Sequence, residues 1–256
     1  MKEILKVKTL KKYYGNKKGN IVKAIDDISF SINKGEFVGI MGSSGSGKTT
    51  LLNIIATIDN PDSGNVFFNN VDILQLSEKE LAFFRGEKIG YVFQDYNLIN
   101  TLTVFENISL SLIMLNRSVL DIKELIEETA QKFGIFDLLD KYPYEISGGQ
   151  RQRCACARAI IKEPTIVLAD EPTGALDTIS SKELMDTLGG MNTKLNSTIL
   201  LVTHDAITAS YCQKVLFLKD GKIFNTILKG DKSKKDFYIE ILDVLSILGD
   251  EFNDMR

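Results

Sequence analysis

Cysteine is scarce in this 256-residue chain, which has only Cys154, Cys156 and Cys212. An odd, irregularly spaced set excludes a disulfide framework. Cys154 and Cys156 form a C-x-C pair with no further ligand cluster beside them. That pair reads either as two small buried hydrophobes or as part of a metal site. Long apolar runs are also missing. The richest stretches, LLNIIATI at residues 51–58 and ISLSLIML at 108–115, fall well short of the ~18 residues a membrane-spanning helix needs. The opening MKEILKVKTLKKYYG lacks the apolar centre of a secretory signal. The expectation is a chain that stays in the cytoplasm and meets a membrane only through a partner. No basic excess exists either: 31 Lys and Arg face 34 Asp and Glu, for a formal net charge of −3. That argues against non-specific nucleic-acid binding. Histidine occurs once, at His204.

What is present is ordinary for a globular protein with a real core: 44% apolar and 25% charged residues. ILKVKTL, IDDISFSI and EFVGIMG read as strands. TTLLNIIATI reads as a helix, PDSG and Asn69-Asn70 as turns around a short VFF strand, and Ser77 with Glu80 as a capping box. KIGYVFQ is a further strand. From about residue 95 to 163 helical periodicity takes over, in TVFENISLSLIML, DIKELIEETAQKF and the segment after Gly149. The core then resumes with PTIVLADEP, a helix in SSKELMDTLGGM, the strand STILLVTHD, and a hairpin in KVLFLKDGKIFNTI turning at Asp220-Gly221. The expected organisation is a nucleotide-binding domain over residues 1–230, with a helical subdomain at about 95–163 and an amphipathic helical tail at 231–256. In that tail Ile241, Leu245, Leu248 and Phe252 share one face, fit either for the chain's own core or for a partner.

Chemistry concentrates first at GSSGSGKTT: Gly42, Ser43, Ser44, Gly45, Ser46, Gly47, Lys48, Thr49 and Thr50. It satisfies G-x-x-x-x-G-K-[ST] between a strand and a helix, the context that validates a phosphate loop. Glycines let successive N–H groups point at phosphates, Lys48 reaches the β- and γ-phosphates, and the Thr49 hydroxyl suits Mg²⁺. The strand IVLA ends in Asp170 and Glu171. A carboxylate at the carboxyl edge of a strand is where open α/β sheets bind ligands, so Asp170 suits Mg²⁺ and Glu171 suits a water poised for in-line attack. His204 follows the apolar strand ILLVTHD, a place that serves either a structural hydrogen bond or a γ-phosphate contact. A second anion-type helix start lies in EISGGQRQR, where Ser147, Gly148, Gly149 and Gln150 open a helix.

Taken in order, these motifs resemble the nucleotide-binding subunits of ATP-binding-cassette transporters, over nearly all of the chain from Tyr14 to Gly221. The resemblance implies an α/β fold, with a P-loop NTPase core, an antiparallel β subdomain and an inserted α-helical subdomain. It implies that Gln94 in VFQDYN is the Q-loop glutamine, near the metal and the reaction. Ser147 to Gln150 become the signature motif, Asp177 in GALD part of the D-loop, His204 the switch histidine, and Tyr14 the aromatic that stacks on adenine. Lys48, Gln94, Glu171 and His204 are thereby the expected catalytic set, with Thr49, Gln94 and Asp170 around Mg²⁺ and ATP as the substrate nucleotide. Two departures are Ile146 where leucine is usual, a volume-conserving change, and Gly174 where serine is commoner in the D-loop.

In such proteins the signature helix caps the γ-phosphate held by the P-loop of a second subunit. The implied assembly is therefore a head-to-tail homodimer on the cytoplasmic face of a membrane, driving an integral-membrane permease. Tyr96, Leu98, Ile99, Leu102 and Phe105 read either as subdomain core or as a groove for a permease helix. FQDYNLINTLTV, KYPYEISGGQ and SYCQKVLFLKDG are most similar to bacitracin and lantibiotic resistance ATPases, which work with a large permease and often, through it, a sensor histidine kinase. Lipoprotein-release, macrolide-efflux and cell-division ATPases are the neighbouring alternatives. A soluble P-loop phosphotransferase leaves Ser147–Gln150 without a role. DNA-repair and translation cassettes require a long coiled coil or a second cassette, and neither is in the sequence.

Overall fold

The computed structural model describes residues 2–15, 21–113 and 119–253, with side chains at 119–121 and 249–253 outside that description. Strands β1 (Glu3–Tyr14), β2 (Val22–Asn33) and β3 (Phe37–Gly42) lead into helix α1 (Lys48–Ile55). Strands β4 (Ser63–Phe68) and β5 (Val71–Asp72), helix α2 (Glu78–Lys88) and strand β6 (Ile89–Val92) follow. Three helices come next, α3 (Val104–Ile113), α4 (Val119–Lys132) and α5 (Gly148–Ile160), and then β7 (Ile166–Asp170) and α6 (Thr178–Leu195). The chain closes with β8 (Ile199–Val202), α7 (Ala206–Ala209), β9 (Lys214–Lys219), β10 (Lys222–Leu228) and α8 (Lys234–Asn253). These elements fall into two compact units, residues 1–76 with 200–256, and residues 77–199.

The first unit holds an antiparallel sheet in the order β2-β1-β4-β5. Strict alternation along β1 would put Thr9 on the core face after Val7. Thr9 instead takes a positive φ of 45° and the register against β2 shifts between Val7 and Leu10. This bulge turns Leu10 inward, fully buried, while the Thr9 N–H donates to Ser29 Oγ at 2.8 Å. The same unit contains the run β10-β9-β3-β8, with β3 and β9 parallel and β9 and β10 antiparallel. Every residue of β3 is buried, as an apolar strand covered on both faces should be. Helix α1 stops three residues before the sequence pattern does. Thr57 adopts φ 57° and the Ile58 N–H reaches back to the Asn53 carbonyl at 2.8 Å, a left-handed cap that ends the helix. The Asn69-Asn70 turn has φ 48° and 69°, as a tight hairpin requires. Strand β4 starts at Ser63, inside the expected PDSG turn.

Tail helix α8 buries Phe237, Ile241 and Val244. Its Lys234 ammonium lies 2.9 Å from the centre of the Tyr211 ring, next to α7 of the same unit. The chain's own core is thus what this face packs on. It begins a turn earlier than expected, with Leu245 and Leu248 half-buried. The Phe252 side chain lies outside the described residues, as do Met114 and Leu115 of the expected third-helix segment.

In the second unit β6 and β7 pair in parallel. The capping box at Ser77 forms as read: Ser77 Oγ accepts from the Glu80 N–H and Glu80 Oε2 accepts from the Ser77 N–H. The core is built from Val104, Ile108 and Leu112 of α3, Ile126 and Ala130 of α4, and Ala155, Cys156 and Ala157 of α5. Cys154 and Cys156 are both fully buried, and burial pushes the Cys154 thiol up to about 12. A neutral buried thiol behaves as a small hydrophobe. Helix α6 is longer than its sequence signal because Asp177 caps one end and Asn196, at φ 53°, closes the other.

Candidate nucleotide site

The phosphate loop spans the turn from β3 into α1. Gly47 is the N-cap residue of α1 with φ 97°, and a Cβ there would lie 2.0 Å from the Ala24 carbonyl oxygen, so only glycine fits. At Gly42 a Cβ would meet the Leu218 carbonyl oxygen at 2.3 Å and Ser46 Oγ at 2.6 Å. Lys48 is 7% exposed and donates to the Gly42 and Ser43 carbonyls at 2.9 and 2.8 Å, which holds its ammonium across the mouth of the loop. Ser46 Oγ is buried without a hydrogen-bond partner. An orphaned hydroxyl beside exposed Ser43, Ser44 and Gly45, at the positive end of a helix, fits a phosphate group. Thr49 is exposed and Thr50 half-buried on the first turn of α1.

Two more expected residues belong to this unit. The Thr203 N–H donates to the Ile40 carbonyl at 3.1 Å, so His204 leaves β8 beside the end of β3 from which the phosphate loop departs. The next residue, Asp205, caps α7 by accepting from the Ile207 and Thr208 N–H groups and fixes the turn that carries His204. Tyr14 ends β1 and is 43% exposed. Its hydroxyl donates to Asp59 Oδ2 at 2.6 Å.

The second unit carries the remaining residues. Asp170 ends β7 and is buried, and burial together with the nearby Asp170 carboxylate pushes the Tyr91 phenol up. Glu171 has φ 43°, a left-handed conformation uncommon for a residue with a side chain. The Gly174 N–H donates to the Glu171 carbonyl at 3.0 Å and closes the turn that holds it there. A Cβ on Gly174 would lie 3.6 Å from both Glu171 Oε2 and Gln94 Nε2, so the Glu171 carboxylate and the Gln94 amide converge on one point. The same Cβ would come within 3.3 Å of the Glu171 carbonyl oxygen, which makes glycine the easy residue here.

Ser147 is the N-cap of α5. Its Oγ accepts from the Gln150 N–H at 3.3 Å, and Gln150 Oε1 accepts from the Ser147 N–H at 2.8 Å. A hydroxyl that accepts still has its own hydrogen to donate, and Ser147 is exposed. Gln150 is thus engaged in the cap itself. A Cβ on Gly149 would meet Ser180 Oγ at 2.7 Å, so the start of α5 lies against the start of α6. There Asp177 accepts from the Ile179 and Ser180 N–H groups at 3.0 and 2.9 Å, which hold its carboxyl below the usual range.

Sequence reasoning missed the residues that hold these loops. Tyr96 and Asn97 both have positive φ, 61° and 51°. Arg158 of α5 donates to both their carbonyls, at 3.1 Å to Tyr96 and 2.7 Å to Asn97. The Arg151 guanidinium sits 5.3 Å from the Tyr96 ring centre and donates to the Pro143 and Ile146 carbonyls just before Ser147. Asn107, fully buried, donates to the Ile99, Leu102 and Thr103 carbonyls and accepts from the Ile99 N–H. Of the residues expected to form a groove, Tyr96 and Leu98 line a cavity of about 470 Å³ together with Asp95, Asn97, Tyr144 and Arg151. Ile99, Leu102 and Phe105 lie outside its walls.

A glycine-cradled loop at the mouth of a helix, fed by a buried strand of a mixed α/β architecture, defines a P-loop nucleotide-binding protein. The sequence pattern of the family described as "ABC transporter" matches residues 25–174. The chain is 49% identical over 256 residues to the ABC transporter ATP-binding protein YxdL of Bacillus subtilis, covering 100% of this chain and 98% of that protein. It is 47% identical over 255 residues to the bacitracin export ATP-binding protein BceA of Halalkalibacterium halodurans, covering 98% and 99% of the two chains. Among solved structures, the dimeric structure of the transporter cassette MJ0796, from Methanocaldococcus jannaschii, superposes with a TM-score of 0.82 at 38% identity over 88% of this chain and 98% of that one. MJ0796 has also been solved as a dimer in a post-hydrolysis state bound to ADP and Pi. The chain belongs to the ABC transporter family, as an ATP-binding subunit with the ABC ATPase fold, and it is an ATPase. Among the described residues no helix is long and apolar enough to cross a membrane.

Proposed function

We propose that this subunit powers the export of, or resistance to, a peptide antibiotic of the bacitracin or lantibiotic class. It works from the cytoplasmic face of a membrane on a permease, and through the permease with a sensor histidine kinase. The observation that carries this reading is the 47% identity to a bacitracin export ATP-binding protein over nearly the whole of both chains. Two copies act together, as in the dimeric MJ0796 cassette.

In the proposed cycle the loop N–H groups and Lys48 of one copy hold the β- and γ-phosphates, and Tyr14 holds the base. Ser147, Gly148 and Gly149 of the other copy cap the γ-phosphate with the hydroxyl and the first N–H groups of α5, while Gln150 and Asp177 keep those helix starts in shape. Glu171 accepts the proton of the attacking water, Gln94 beside it orients that water, and His204 donates to the γ-phosphate. The Thr49 hydroxyl, the Asp170 carboxylate and the Gln94 amide oxygen are the hard oxygen donors that Mg²⁺ prefers, and when bound it supplies charge neutralisation at the phosphates. Because both copies bind the γ-phosphate, its loss removes the shared contact and favours the open state.

The test is co-expression with its partner permease in a bacitracin-sensitive host. A several-fold rise in the inhibitory concentration of bacitracin or of a lantibiotic, absent with Glu171→Gln, is the expected result. A rise for a macrolide only, or for no compound, overturns the substrate assignment.

A further inference from the structure

Tyr14 is not a loose aromatic at the end of a strand. Asp59, from the segment after α1, accepts its hydroxyl at 2.6 Å through Oδ2. The other carboxylate oxygen accepts from Lys12 Nζ and from the Asn60 N–H, both at 2.7 Å. Lys12 is fixed in turn by the Asn60 carbonyl at 2.6 Å, and its ammonium lies 5.0 Å from the centre of the Tyr14 ring. One face of the ring is therefore covered by an ammonium, and its tip is pinned by a carboxylate.

A planar ring on a single bond ordinarily turns about χ1 and χ2, and fixing it on binding costs rotamer freedom. Here that freedom is already gone. We infer that Asp59 is a positioning residue for the nucleotide base: it holds Tyr14 as a fixed, one-sided platform that offers a purine only the face away from Lys12. The inference rests on the reading of Tyr14 as the base-stacking residue and adds what sets its geometry. It also predicts that the tether, and not the ring alone, contributes to affinity for nucleotides with a base, while phosphate binding is indifferent to it.

The experiment is isothermal titration of the full chain with Mg-ATP and, separately, with inorganic tripolyphosphate and Mg²⁺. Tyr14→Ala should weaken ATP on the order of tenfold or more, as loss of base–aromatic stacking does, and leave tripolyphosphate unchanged. Asp59→Ala and Tyr14→Phe, which keep the ring but remove the tether from opposite ends, should each weaken ATP by a smaller factor of roughly three to ten. Their double variant should lose less than the product of the two single losses, because the Tyr14–Asp59 bond is absent in both. Normal ATP affinity in Asp59→Ala and Tyr14→Phe, with Tyr14→Ala weak, overturns the inference and spares the stacking role. Normal affinity in Tyr14→Ala overturns the stacking role itself. Equal loss of ATP and tripolyphosphate in Asp59→Ala assigns Asp59 to the phosphate loop and also overturns the inference. Tyr14→Phe removes one hydroxyl and no volume of ring, so it decides the matter even if Asp59→Ala folds poorly.

Discussion

Glu171 concentrates the chemistry into one residue, and its backbone explains why it can. A left-handed φ of 43° on a glutamate is held by the Gly174 bond to its carbonyl, and the result aims its carboxylate at the point that Gln94 also faces. Glu171→Gln keeps the shape and removes the basicity. ATP hydrolysis should fall by at least about 100-fold, the low end of general-base contributions, with ATP affinity unchanged in a binding titration. Hydrolysis at the normal rate would remove Glu171 from the role of base. Gly174→Ser tests the geometry around it. Its Cβ would come within 3.3 Å of the Glu171 carbonyl oxygen and 3.6 Å of the two side chains. The expected cost is a modest loss of turnover without loss of ATP binding, measured by steady-state phosphate release. At this scale the sequence was highly legible where a residue type and its spacing define the chemistry, as in GSSGSGKTT and IVLADE. It was silent on Asp59, Arg158 and Asn107, because which groups a lone Asp, Arg or Asn will bond leaves no periodic trace in the sequence.

Among the elements, α5 does two jobs with one helix. Its first turn offers Ser147 and the glycines, while Arg158 about three turns later grips the Tyr96 and Asn97 carbonyls that follow Gln94. Arg158 is buried enough that burial pulls its pKa down, and a guanidinium so placed is expensive to leave out. Arg158→Ala should lower stability by about 1–3 kcal/mol in urea unfolding, the range for losing buried bonds to a charged donor. Ser147→Arg acts at the other end of the same helix. It removes the cap and puts a bulky cation where a γ-phosphate of a second copy is proposed to sit. ATP binding by the monomer should be unaffected, while ATP-induced pairing, followed by light scattering in the Glu171→Gln background, should vanish. Loss of monomer binding instead would place the cap within its own chain. Helix and strand types were readable from apolar periodicity, but ends were not. The ends of α1 and α6 depend on Thr57 and Asn196 in left-handed conformations, and the bulge at Thr9 decides which residue of β1 faces inward. Such positions belong to no alternation pattern.

For the whole molecule, the carboxylates set how it responds to acid. Hydrogen bonding to Tyr13 and then Lys23 holds Asp26 below its ordinary value of 3.8. Burial pushes Asp59 and Glu36 up, but bonds from Lys12 and Tyr14 to the former, and from Asn33 and Lys214 to the latter, outweigh it and leave both low. Ser77 lowers Glu80, and Ser180 lowers Asp177. A carboxyl whose folded pKa lies below its unfolded one stabilises the fold in its ionised form. That contribution is complete above the unfolded values of 3.8 for Asp and 4.5 for Glu and disappears as pH falls through the lower folded values. Stability to urea should therefore be flat from neutral pH down to about 5 and then fall steeply below about 4. Asp26→Asn, which cannot ionise, should lower stability at pH 7 and make the acid limb shallower, because one of the groups that titrates there is gone. Circular dichroism of both proteins across pH 2–7 checks this, and an acid limb of unchanged slope in Asp26→Asn would show that Asp26 does not carry its share.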